Sequence, residues 1–145
     1  MITKSIEIAK QAGEIIREGF GNNLSIDFKT DEANLVTNID KASEKLIKDF
    51  IRKEYPTHSI IAEESGTSKN SSEYTWVIDP LDGTTNFAHG LPIFSVSIGL
   101  QKNGETILGV IYDVMRDVIY SAEKGAGTFE NSERVYVNKN SKIYC

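Results

Sequence analysis

Apolar residues recur along this chain with two periods, and the change from one to the other separates a helical front from a sheet-forming remainder. Ile2, Ile6, Ala9, Ala12, Ile15, Ile16 and Phe20 fall at helical spacing with Lys and Glu between them, and Gly21 supplies a stop signal. This predicts an amphipathic helix. A second helical pattern runs from about Asn38 to Tyr55 through Ile39, Ala42, Leu46, Ile47, Phe50 and Ile51, with Pro56 just beyond it. Thr37 and Asp40 stand in the Thr-x-x-Asp spacing of a capping box, which predicts Asp40 as part of the cap that opens this helix. The intervening "FGNNLSIDFKTDEANLV" is polar and irregular, the pattern of a mobile loop or a short hairpin.

After Pro56 the period shortens. "HSIIAEE", "YTWVID" and "FSVSIGLQ" are rich in β-branched and aromatic residues and read as strands, with Trp76 as core. Asn103-Gly104 lies between two such runs, where both turn residues must tolerate positive φ, so a tight hairpin is expected there. A further short turn at Met115 to Asp117 makes residues 94–123 a three-stranded antiparallel meander, and "GAGTFENSERVYV" adds one more turn and strand. Two helices followed by a run of strands argue α+β, with the helices packed on one face of a mainly antiparallel sheet.

Composition narrows the function classes. At 145 residues, 39% hydrophobic and 26% charged, the chain suits one domain with a real core. Sixteen basic against twenty-one acidic residues leave a net charge of −5 with no Lys/Arg cluster, which argues against nucleic acid as a partner. The lone cysteine, Cys145, supports neither a disulfide framework nor a zinc site and fits a reducing cytoplasm. Charges interrupt the first 20 residues every few positions, unlike a signal peptide or a membrane span.

The chemistry concentrates in "WVIDPLDGTTNF", residues 76–87. Pro80 restricts the residue before it to extended backbone, and Gly83 allows a ligand to approach the chain closely. The carboxylates of Asp79 and Asp82 and the Leu81 carbonyl could then supply hard oxygen ligands to magnesium, and Thr84, Thr85 and Asn86 read as a helix opening with amides free for a phosphate. Asp-Pro and Asp-Gly are also ordinary turn formers, so two solvated caps remain the alternative. Glu63 and Glu64 end another strand, and two acidic strand ends without matching basic residues invite a cation. Glu64 itself reads as solvent-facing. His58 and His89 read as surface histidines, and Lys29 either as an exposed loop lysine or as a phosphate contact. Asp40 could also orient a hydroxyl near the site.

Taken together, "WVIDPLDGTTNFAHGLPIFSVSIGL", "IIAEESG" and "LVTNID" resemble the inositol monophosphatase family of magnesium-dependent, lithium-sensitive phosphatases, and "AEKGAGTFEN" resembles that family's glycine-rich turn. The resemblance implies the N-terminal half of an αβαβα sandwich, two or three Mg2+ ions, a small substrate such as inositol monophosphate, and a homodimer. Residue by residue, it implies that Glu63 binds the first metal and polarises water, Asp79 bridges two metals, Leu81 gives its carbonyl and Asp82 binds the second metal. Gly83 and Thr84 would offer amides to the phosphate, the Thr84 hydroxyl would pair with Asp40 to activate water, and Lys29 would lie near the mobile loop. The chain departs from the family at Asn34, where an aspartate is common, and it lacks the C-terminal α/β half whose Trp-Asp-x-Ala-Ala motif completes the second metal site. Related readings are fructose-1,6-bisphosphatase, nucleotide 3'-phosphatase, and a non-catalytic metal-binding or dimerisation domain.

Overall fold

The computed structural model describes residues 1–23 and 32–138. Within them the elements run α1 (Ile2–Asn23), α2 (Glu32–Glu54), β1 (Ser59–Ala62), β2 (Gly66–Ser68), β3 (Tyr74–Asp82), α3 (Thr84–Ala88), β4 (Ser95–Lys102), β5 (Glu105–Asp113), β6 (Val118–Glu123), β7 (Gly127–Glu130) and β8 (Glu133–Val135). All the strands form one sheet in the order β2-β1-β3-β4-β5-β6-β7-β8, in which β1 and β3 are parallel and every other neighbouring pair is antiparallel.

The two long helices cover one face of this sheet, α1 against β4, β5 and β6 and α2 against β3. Alternation along β4 explains why: Val96, Ile98 and Leu100 are buried under the helices while Ser95, Ser97 and Gly99 face the other way. Ile8, Ile16, Ile47 and Ile51 from the helices join Trp76, Ile98, Leu100 and Val110 from the strands in a single core. The opposite face is less covered, with Ile111 47% and Ile61 39% exposed. Among the described residues, no helix is long and apolar enough to cross a membrane.

The α+β expectation and the meander hold, and the Asn103-Gly104 turn has both residues at positive φ, 51° and 82°. Four details differ. The first helix runs past Gly21 to Asn23. The second begins at Glu32 instead of Asn38, so Thr37 and Asp40 lie inside it and form no opening cap. The final stretch expected to hold one strand folds into two, β7 and β8, because Asn131 and Ser132 both adopt positive φ and reverse the chain. His58 is half-buried where a surface residue was expected, stacked between Tyr55 and Tyr74 with ring centroids 5.2 and 4.8 Å away. Its Nδ1 accepts a 3.0 Å hydrogen bond from Trp76 Nε1, which requires that nitrogen unprotonated, and burial pulls its pKa below the ordinary histidine value. The loop or hairpin expected around Lys29, and Cys145, lie outside the described residues.

Gly13 lets α1 approach the sheet closely. A Cβ there would sit 2.3 Å from Tyr112 Cε1 and 3.3 Å from Val114 Cγ2. Tyr112 cannot swing aside freely, since its hydroxyl accepts from Arg17 and donates to Asp117, each at 2.9 Å. Gly13→Ala should therefore destabilise the chain by about 1–3 kcal/mol through overpacking, although alanine favours a helix interior by about 1 kcal/mol. Chemical denaturation checks the sign, and a variant more stable than the parent would refute the close approach.

Candidate active site

The parallel pairing of β1 with β3 places two acidic strand ends side by side. Ala62 pairs with Ile78, so Glu63 and Asp79 are the next residues on neighbouring strands. Beyond them β3 carries a bulge. Asp79 pairs with Ser97 and Asp82 with Ser95, so three steps along β3 match two along β4. In a regular strand, residues three apart point to opposite faces; the extra residue restores the parity and puts Asp79 and Asp82 on the same side as Ser97 and Ser95. Pro80 lies within this bulge, where its missing N–H costs no ladder hydrogen bond. Pro80 and Leu81 are buried.

The result is an open cleft of about 330 Å³ lined by Glu63, Asp79, Leu81, Asp82, Gly83, Thr84, Thr85 and Asn86. Asp79 Oδ1 accepts from the Leu81 amide at 3.2 Å, and Asp82 Oδ2 accepts a long 3.5 Å bond from the Ser95 hydroxyl. Gly83 turns the chain into α3 at φ 98°, and a Cβ there would lie 2.9 Å from the Ile93 carbonyl, so the position admits only glycine without strain. Among the described residues no side chain caps α3, which leaves its first amides open to a ligand. The Asp79 bond to the amide two residues on is the Asx-type contact of the turn-former reading, whereas Asp82 accepts no backbone amide among the described residues.

Asp40 enters the cleft region from α2. It is only 3% exposed, and its Oδ1 has no hydrogen-bond partner among the described residues. Burial, followed by the charges of Glu64, Asp79 and Glu63, pushes its pKa up to about 7. The Asp79 carboxyl is likewise held well above the usual range by burial, by hydrogen bonding with Glu63, and by the charges of Glu63 and Asp82. Among the described residues no lysine or arginine forms an ion pair with Asp40, Glu63, Asp79 or Asp82.

This donor set fits a hard divalent cation: carboxylate oxygens on one side of a bulge and, among the described residues, a buried unpartnered oxygen and negative charge without a basic counterpart. Among the described residues, however, no three Asp, Glu, His or Cys side chains already converge closely enough to hold an ion. Glu63 and Asp82 both act on Asp79, raising its pKa.

The structure thus brings together Glu63, Asp79, Leu81, Asp82, Gly83 and Thr84, with Asp40 electrostatically linked to them. Lys29 lies outside the described residues. Glu64 and His89 are exposed, as expected. The Thr84 hydroxyl donates to the Leu81 carbonyl at 3.1 Å, and the expected Thr84–Asp40 pair is not formed. Sequence reasoning missed Glu44, whose buried carboxylate accepts from the amides of Glu64 and Ser65 at 3.0 and 3.3 Å. Its only signal was Lys48 four residues later, which reads as an ordinary surface ion pair.

Residues 1–144 match the inositol monophosphatase family. Among curated proteins, the chain is 46% identical over 139 residues to the Nus factor SuhB of Pasteurella multocida (strain Pm70), covering 94% of this chain and 52% of that protein. It is 40% identical over 148 residues to the fructose-1,6-bisphosphatase/inositol-1-monophosphatase of Aquifex aeolicus (strain VF5), covering 98% and 56%. Among solved structures, the inositol monophosphatase of Anabaena (Nostoc) sp. PCC 7120 superposes with a TM-score of 0.78 at 40% identity, covering 97% of this chain and 52% of that one. The chain therefore spans about half the length of the relatives it matches.

Proposed function

Because this chain belongs to the inositol monophosphatase family, we propose that it supplies the ion-binding half of an active site that hydrolyses phosphate monoesters, inositol monophosphate first among them. The acidic cleft carries the reading: two strand ends and a bulge gather carboxylates that have no basic counterpart among the described residues. Glu63, Asp79, Asp82 and the Leu81 carbonyl would hold two or three Mg2+ ions, which when bound supply positive charge against the phosphoryl oxygens and make an attacking water more acidic.

The chain's own residues do the rest. The amides of Gly83 and Thr84 receive phosphate oxygens, a role supported by the left-handed Gly83 and the uncapped start of α3. Glu63 orients the water. Asp40 takes the proton that water releases, a role supported by its buried carboxyl, whose Oδ1 has no hydrogen-bond partner among the described residues. The Thr84 hydroxyl turns from Leu81 toward Asp40 when substrate binds, and Lys29 adds charge beside the phosphate. Water oxygen bonds to phosphorus, the ester P–O bond breaks, and the departing alkoxide is reprotonated from solvent. In this reading residues 1–145 are the N-terminal half of a cytoplasmic, lithium-sensitive homodimer, and a C-terminal half would add the remaining aspartate.

Fructose 1,6-bisphosphate is the second substrate reading, favoured by the name of the Aquifex relative. Phosphate release from inositol 1-phosphate, fructose 1,6-bisphosphate and a nucleoside 3'-phosphate, with and without Mg2+, tests both. Release that needs Mg2+ and falls to background in Asp79→Asn supports the phosphatase. Mg2+ binding without release on any substrate would leave an ion-binding domain in its place.

A further inference from the structure

Asp40, Ser43 and Glu44 occupy one turn of α2, at the i, i+3 and i+4 spacing that puts side chains on one face. Asp40 is linked electrostatically to the carboxylates of the cleft already described. The other two are buried, Ser43 at 0% and Glu44 at 4% exposure, and neither lines that cleft. Glu44 Oε2 accepts from the backbone amides of Glu64 and Ser65 at 3.0 and 3.3 Å, which fastens the turn directly after Glu63. Its Oε1 accepts from Lys48 Nζ at 3.3 Å, and Lys48 in turn donates to the Ser65 hydroxyl. Ser43 Oγ donates to the Pro80 carbonyl at 3.3 Å, inside the bulge between Asp79 and Asp82.

Removing a carboxylate from water is costly unless its hydrogen bonds repay the loss, and placing one beside an already negative cleft adds repulsion. Packing alone would be met more cheaply by an apolar residue of the same volume. A charge retained here indicates that the backbone amides it grips matter in position. Adjacent residues of one rigid helix turn hold both segments that carry the cleft's carboxylates. The distance between Glu63 and Asp79 is set partly across the sheet by β1–β3 pairing and partly from above by this turn.

We propose that Glu44 and Ser43 are positioning residues that set the separation of the two acidic strand ends, and so tune the affinity of the cleft for divalent ions. The inference rests on the ion-binding reading of that cleft. Outer partners of metal ligands commonly change affinity by about 10- to 100-fold when altered.

Mn2+ titration of the 145-residue chain, followed by electron paramagnetic resonance, tests it together with thermal melts in chelator. Glu44→Gln keeps the volume and one acceptor but loses the charge that holds Lys48 and both amides. It is expected to weaken Mn2+ binding about tenfold, and Ser43→Ala about threefold, by the same loss of ligand positioning. Ile8→Val, in α1 and far from these contacts, serves as the comparison: it should lower the melting temperature and leave Mn2+ affinity unchanged, which separates positioning from general destabilisation. Ser43→Ala keeps the test open if Glu44→Gln does not fold. Wild-type affinity in both variants overturns the inference while leaving the ion site intact. A wild-type chain that binds no Mn2+ overturns the ion site, and the inference with it.

Discussion

Asp79→Asn is expected to lower Mg2+ affinity about a hundredfold or more while making the ion-free chain more stable, since a direct ligand should matter at least as much as the outer partners that change affinity by up to about 100-fold. Asp79 is close enough to Glu63 and Asp82 for both to raise its pKa. Asparagine preserves the shape and the carbonyl acceptor for the Leu81 amide but removes the negative charge that a cation needs. The same deletion relieves repulsion in a half-buried site, so stability and binding should move in opposite directions. Most substitutions destabilise, which makes the pairing of signs diagnostic. Calorimetric Mg2+ titration and a melt in chelator measure the two arms. Unchanged affinity would remove Asp79 from the site.

The second large effect is a dependence of ion-free stability on pH. Asp40 has a folded pKa near 7 against an ordinary value of 3.8, and Asp79 is raised as well. A carboxyl whose folded pKa exceeds its unfolded one contributes stability that is fully present below the unfolded value and lost as pH rises through the folded value. The chain in chelator should therefore melt higher at pH 6 than at pH 8.5. At 1.36 kcal/mol per pKa unit, discounted for the partial exposure of Asp79, the difference should reach about 2 kcal/mol. His58 works the other way, because its lowered pKa contributes stability that fades as pH falls below its ordinary value of 6.5, so at pH 6 it already offsets part of the difference and the comparison goes no lower. Asp40→Asn should flatten most of the slope. Saturating Mg2+ should reverse it, since ions bind the ionised carboxylates. A slope that survives both Asp40→Asn and Asp79→Asn would place its origin elsewhere.

Much of this was legible in the sequence because local rules and tertiary structure agreed. Asn103-Gly104 could form only a narrow set of turns, and the alternation through "FSVSIGL" matched a sheet with one covered face. The motif "IDPLD" also stood out as a pair of carboxylates at a strand end, although its geometry depends on a bulge that only pairing with β4 reveals. Where the reading failed, the competing physics is identifiable. Thr37 and Asp40 had the spacing of a cap, yet Glu32 and Ala33 are good helix formers and α2 begins with them. In "GAGTFENSERVYV" one turn was expected and two form, the second at Asn131-Ser132, where left-handed backbone is uncommon for serine. His58 was read as surface because nothing local predicts that two tyrosines and Trp76 would enclose it. Glu44 carried the pattern of an exposed ion pair, and only the long-range approach of residues 64 and 65 gives it another role.

Crystals of this chain soaked in manganese, with data collected at a wavelength where Mn2+ scatters anomalously, address the central claim directly. The account predicts an anomalous peak within about 2.5 Å of an Asp79 carboxylate oxygen, the upper end of ordinary oxygen–cation distances, with Glu63 or Asp82 completing the contact. Carboxylates that remain separate under saturating manganese, with no peak between β1 and β3, would contradict it.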